Sequence, residues 1–194
     1  MFVTNAQGFY RQLKTDKGFN LESLLDEKQS QIVARFCERK APKLVFGKIR
    51  AVKSLVKGLI ETGLIPKVKV KVCWFGKGVA SMIDNGEIRL YKQFLFSQSY
   101  CESVLTVLHE LAHVKLWANK DYSLLKKCDA EFFDEFVKDA SCTVVCPIEY
   151  YANLFALCWL NQAIEQVKDQ NRLEQLSAEK ERLIEKLSKA KEKI

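Results

Sequence analysis

Apolar residues recur at helical spacing over residues 21–40 (LESLLDEKQSQIVARFCERK) and 46–62 (FGKIRAVKSLVKGLIET), so each stretch predicts an amphipathic helix. In the second, Ile49, Val52, Val56 and Leu59 share one stripe while Lys53 and Lys57 lie off it, and Gly63 and Pro66 close the helix. The period then changes. In KVKVKVCWF (67–75), Val68, Val70 and Val72 alternate with lysine, as in a strand with one buried face. VASMI (79–83) and EIRLY (87–91) meet across Asp84-Asn85-Gly86, and Asn-Gly supplies the positive φ angles of a tight hairpin turn. A small, mostly antiparallel sheet is therefore expected in the middle of the chain.

Helical spacing returns after the sheet. Ser99 stands three residues before Glu102, the spacing of a capping box, and the apolar run Val104, Leu105, Val107, Leu108, Leu111 follows. A further helix is expected at 123–138, and Pro147 is placed to be the first residue of another. From about residue 160 the chain becomes strongly charged and free of Gly and Pro. Leu173, Leu176, Leu183, Leu187, Ala190 and Ile194 follow a 3-4 spacing interrupted by Lys180, which predicts a long helix, either docked on its own domain or paired with a second copy as a coiled-coil dimer. The pattern as a whole is α+β. One domain is expected over 1–160, helical over 1–65 and carrying the sheet and its following helices over 66–160, with a charged C-terminal helix over 161–194.

A chain of 194 residues with 48% hydrophobic content has the length for one domain with a real core. No uncharged apolar run reaches the roughly 18 residues of a membrane span, and the N-terminal MFVTNAQGFYRQLKTDKG lacks the basic-then-apolar pattern of a signal peptide. The seven cysteines are odd in number and show no CxxC spacing, which fits free thiols in a reducing compartment. A cytoplasmic protein without membrane contact is expected. Its net charge of +7 is local, because residues 38–72 carry ten Lys and Arg against two Glu. Such a segment is either a face for nucleic acid or an acidic partner, or simply a solvated face of a helix and a strand.

The chemistry concentrates in LHELAH (108–113), which holds both histidines of the chain. At ordinary residue usage a chain of this size shows HExxH by chance on the order of once in two hundred. His109 and His113 lie about one turn apart on one helical face, so their rings can converge on one ion, and neutral imidazole is a good zinc donor. Glu110 is rotated about 100° from His109 and would flank the metal, the position of a general base. A catalytic zinc takes three protein ligands plus water. With no third histidine, the third ligand must come from Asp129, Glu131, Asp134, Glu135, Glu149, Cys142 or Cys146. Glu149 is favoured because it opens an apolar helix after Pro147, with Ala152 one turn on permitting close approach and Asn153 placed to hydrogen-bond a ligand.

The segments LTVLHELAHVKLW and EYYANLFAL resemble the ImmA/IrrE family of small cytoplasmic zinc peptidases, which pair HExxH with a downstream glutamate in an E-x-x-A-N-x-F-A context. The resemblance spans roughly residues 67–160. It implies a zincin-like fold, with the sheet packed against an HExxH helix and a glutamate-bearing helix. It also implies Zn2+ bound by His109, His113 and Glu149, with Glu110 as base. The implied substrate is a helix-turn-helix transcriptional repressor of a phage or mobile element.

The expected reaction is hydrolysis of a peptide bond by a metal-activated water, with Glu110 carrying the proton to the leaving amine. Substrate is expected to lie extended along an exposed sheet edge, with EIRLY the first choice. An oxyanion donor is sought among Tyr150, Tyr151 and Tyr122, for each of which the favoured alternative is a packing aromatic. The competing expectation is a non-catalytic, zinc-stabilised module that binds protein or nucleic acid, with Cys142 or Cys146 as fourth ligand. A zinc hydrolase of another class, such as a deformylase, fits less well, because the third ligand is a glutamate and no glycine-rich loop precedes the motif.

Overall fold

The computed structural model of the protein describes residues 2–3, 5–15, 25–39, 45–75, 80–83 and 86–194. In chain order the elements are α1 (Ala6–Thr15), α2 (Glu27–Glu38), α3 (Val45–Glu61), β1 (Lys69–Cys73), β2 (Ala80–Ile83), β3 (Glu87–Tyr91), α4 (Lys92–Phe96), α5 (Tyr100–Trp117) and α6 (Tyr122–Phe136). A 3-10 turn over Ala140–Val145, α7 (Pro147–Ile164) and α8 (Gln170–Glu192) complete the chain. The architecture is α+β, dominated by helices around one small sheet. Residues 21–24, Lys40, Val79 and Asp84-Asn85, which belong to the expected helix, strand and turn, lie outside the described residues.

The helix boundaries follow from capping chemistry. Ser99 Oγ accepts the Glu102 amide at 3.2 Å and the Ser99 amide donates to Glu102 Oε2 at 2.6 Å, closing the capping box that starts α5. Asp26 and Gln29 form the same device at the start of α2. Gly63 ends α3 with φ of 72°; its amide donates to Ile60 O while Leu64 donates to Leu59 O, the paired bonds of a Schellman motif that only glycine enters without strain. Pro147 is the first residue of α7, where its missing amide costs nothing.

The sheet is mixed, with strand order β1-β3-β2, so the expectation of a mostly antiparallel sheet is corrected. β2 and β3 pair antiparallel, with Gly86 at φ 72° closing their turn, but β1 runs parallel to β3. The hairpin occupies one edge of β3, leaving β1 only the other. Because the chain reverses between β1 and β2, β1 must then point the same way as β3.

The core is organised around α7. Thirteen of its eighteen residues are buried, including Trp159 and Tyr150 at zero exposure, as expected of a helix apolar on every side. It packs against α5 most extensively and also against α2, α6 and α8. α1, which no periodicity argument anticipated, docks through Phe9, whose ring meets Phe132, Tyr150 and Tyr151 at centroid distances of 5.1, 5.6 and 5.7 Å.

α8 takes the docked alternative. Its Leu176, Leu187 and Ala190 are buried against α5, α7 and the 3-10 turn, while Leu173, Leu183 and Ile194 of the same stripe are half-buried against the core. No helix among the described residues is long and apolar enough to cross a membrane.

Candidate metal centre

α5 and α7 lie side by side, and their polar exceptions meet. His109 and His113 project from α5, and Glu149, the third residue of α7, projects from the facing helix. His109 Nε2 and His113 Nε2 are 2.9 Å apart; Glu149 Oε2 is 3.2 Å from the first and Oε1 is 3.3 Å from the second. All three donor groups fall within 4.8 Å of one another, and the cluster could hold a metal ion. The fit to zinc is good in chemistry and in spacing. Donors bonded to a tetrahedral zinc at about 2.0–2.1 Å stand about 3.3 Å from one another.

The surroundings orient these donors. Asn153, one turn beyond Glu149 and buried, places Oδ1 2.9 Å from His109 Nδ1 while its Nδ2 donates to Val144 O at 3.4 Å. With the amide oriented by that second bond, His109 donates through Nδ1 and presents the Nε2 lone pair to the cluster. Asp129 Oδ1 accepts the Ile148 amide at 2.8 Å and so caps the first turn of α7 beside Glu149. Glu149, in the first turn of α7, sits where the helix dipole favours a negative charge.

The same contacts set the electrostatics of these side chains. Burial presses His109 toward its neutral form, but the hydrogen bond and charge of Glu149, the charge of Glu110 and the Asn153 bond outweigh it and raise its pKa. Burial likewise opposes ionisation of Glu149, yet the two imidazoles hold it well below the usual carboxylate range. Burial raises the Asp129 pKa, with Glu149 adding to it against the pull of the Ile148 amide.

Two cavities meet at the cluster, sharing His109 and Glu149. One of about 430 Å³ is lined by Ala80 and Ser81 of β2, Glu110, Tyr122 and Ile148. The other, about 610 Å³, opens between α5, the 3-10 turn and α8, with Glu179, Arg182 and Lys186 on its far wall. Glu110 is 7% exposed and faces the first cavity beside the histidines.

Several expected site residues are placed elsewhere. Tyr150 and Tyr151 do not line either cavity. They are rotated about 100° and 200° from Glu149 on α7 and pack against Phe9, and the Tyr151 hydroxyl accepts the Val3 amide and donates to Gln12. Tyr122 is the tyrosine at the cavity. Cys142 and Cys146 are buried free thiols outside the donor cluster; burial, with Asp129 and Glu149 nearby, pushes Cys146 up to about 12. Of the acidic residues on α6, Asp129 is a helix cap, and Glu131, Asp134 and Glu135 are not in the cluster. EIRLY forms the central strand, paired on both sides, so it is no free edge; β2 is the edge strand that reaches the site. Sequence reasoning missed Ala80, Ser81 and the α8 wall, since no motif or spacing links those segments to the histidines.

Within the basic segment, Lys48 is turned inward, donating to Gln98 O at 2.6 Å and Phe94 O at 3.3 Å. It therefore does not belong to a solvent-facing cationic surface. Neither the known protein families, nor curated proteins, nor solved structures contain a match to this chain.

Proposed function

We propose that the protein is a zinc-dependent endopeptidase with a zincin-like arrangement, related in its site to the ImmA/IrrE peptidases. The observation that carries this reading is the convergence of His109, His113 and Glu149 at an accessible cleft, with Glu110 in the adjoining cavity. A zinc ion held there supplies a Lewis acid to the scissile carbonyl and lowers the pKa of water at the site to about 7.

The chain's own groups do the rest. Glu110 takes a proton from the attacking water as the oxygen bonds to the carbonyl carbon, and returns it to the amide nitrogen as the carbon–nitrogen bond breaks. Asn153 fixes the His109 tautomer and Asp129 fixes the turn that carries Glu149. The substrate backbone adds to the edge of β2 at Ala80 and Ser81, and Tyr122 supplies the donor to the developing oxyanion. The substrate class is a helix-turn-helix repressor of a phage or mobile element, cleaved in the cytoplasm, where the seven free thiols stay reduced.

A zinc-stabilised binding module remains the second reading only as far as it supplies a fourth protein ligand. Among the described residues, the donor cluster contains His109, His113 and Glu149 and neither cysteine, which favours the hydrolase.

The test is metal content with X-ray absorption, followed by proteolysis of a cognate repressor. Wild type is expected to bind one zinc through two imidazoles and oxygen donors, and Glu110→Gln to keep the metal and lose cleavage. Full proteolysis by metal-loaded Glu110→Gln would sink the mechanism; absence of zinc from zinc-replete wild type would sink the site.

A further inference from the structure

The second edge of the sheet carries a feature unrelated to the metal centre. Among the described residues β1 is an edge strand, and along it runs a groove of about 580 Å³ whose other wall is α3. Five consecutive residues, Lys67 to Lys71, line the groove. Since successive side chains of a strand point to opposite faces, lining by consecutive residues means that the groove follows the strand's backbone edge.

Register identifies which backbone groups that edge presents. The Lys69 amide donates to Gly86 O at 2.9 Å, and Lys69 and Lys71 are opposite Glu87 and Arg89 in the parallel ladder. The amides and carbonyls of Lys69 and Lys71 therefore face β3, and those of Val70 and Val72 face outward, Val70 along the groove itself. On the α3 wall, Val56 and Ile60 line the groove opposite Val68 and Val70 as an apolar floor, rimmed by Lys53, Lys57 and Glu61.

Charge selects the occupant. Lys57 pairs with Glu61 at 3.7 Å and Lys71 pairs with Glu87, whereas Lys53, Lys67 and Lys69 form no ion pair among the described residues. A lysine-bearing edge repels a second copy of itself, and the apolar floor provides no aromatic ring on which a nucleic-acid base could stack. An extended chain with carboxylates on one face and small apolar side chains on the other satisfies the open amides, the floor and the cations together. We propose that the α3–β1 groove is a docking site for an acidic, extended segment of a partner protein, which joins the sheet as a strand beside β1.

The probe is a fluorescently labelled peptide of alternating glutamate and valine, titrated into the full chain by anisotropy, with amide hydrogen exchange read at Val70 and Val72. Expected are saturable binding, slowed exchange at both amides, and about a tenfold loss of affinity when the peptide is N-methylated at alternate residues on its pairing edge. The peptide substitution leaves the protein intact, so misfolding does not enter that comparison. A Lys67→Glu/Lys69→Glu double variant is expected to weaken binding at least as much while keeping the wild-type circular dichroism. Absence of binding at low salt would overturn the proposal. Equal affinity for the N-methylated peptide, or indifference to the lysine reversal, would also overturn it. So would binding of duplex DNA that displaces the peptide from the same lysines, by assigning the surface to nucleic acid instead.

Discussion

α7 and α8 are consecutive in the chain and are built on opposite principles. α7 buries thirteen of its eighteen residues, and two of its polar exceptions, Glu149 and Asn153, belong to the candidate metal centre. α8 buries three of its twenty-three residues, and those exceptions, Leu176, Leu187 and Ala190, are what dock it. On a helix apolar all round, a carboxylate persists only where partners compensate its desolvation, so the informative residue is the charged exception and what it meets. On a helix that is charged nearly all round, the informative residue is the buried hydrophobe, and single surface charges carry little.

The largest effect should come from the α7 exception itself. Glu149→Gln or His109→Ala removes one of three donors, and elemental analysis of the purified variant is expected to find the metal lost. Retention at wild-type occupancy would break the contrast, because Glu149 would then be an ordinary surface carboxylate. Next is Glu110→Gln on the partnering helix, expected to lower kcat for repressor cleavage by roughly 10²–10⁴-fold with metal retained.

Leu187→Ala, the α8 exception, is expected to destabilise the fold by about 2–4 kcal/mol in urea denaturation, since the side chain is fully buried. A near-zero change would mean that α8 does not dock in solution. Asn153→Ala leaves the donors in place but frees the His109 ring, and a competition titration should show metal affinity weakened about 10–100-fold. At the bottom of the scale, Lys189→Ala breaks an exposed i,i+4 contact with Glu185, and no measurable shift in Tm is expected.

The capping box of α5 sharpens the comparison through pH. The Ser99 amide and hydroxyl hold the Glu102 carboxyl below its ordinary value. A depressed folded pKa means that its stabilisation is present above the unfolded value of about 4.3 and is lost as pH falls through the folded value. Wild type and Glu102→Ala should thus differ in stability at pH 7, and the gap should close on acidification below about pH 4. A gap that stays constant with pH would show that the carboxylate charge is not what matters.

Much of the helical layout was legible because its signals are local. The Ser99–Glu102 box, Gly63 and Pro147 act within a turn of where they stand, and each marks the boundary observed. The grouping of His109, His113 and Glu149 was legible for a related reason. HExxH encodes a one-turn spacing, and Glu149 stood out as a carboxylate in an apolar run. The direction of β1 was not legible, since alternation specifies a strand but not its neighbour. Neither was the inward turn of Lys48, whose partners are backbone carbonyls about fifty residues away. Tyr150 and Tyr151 were drawn to the site by proximity in sequence, but the rotation of the helix carries them into the core.

The amino-acid order by itself determined the long helices other than α1, the Ser99 cap, the three strands and the two-histidine spacing, because hydrophobic period and capping bonds are satisfied within a few residues. Tertiary packing alone decided which edge of the sheet faces the histidines, which tyrosine lines the cavity, that Asp129 caps the helix bearing Glu149, and that α8 walls the cleft. Those outcomes depend on how buried faces of distant segments fit one another, and that fit is a property of the assembled core.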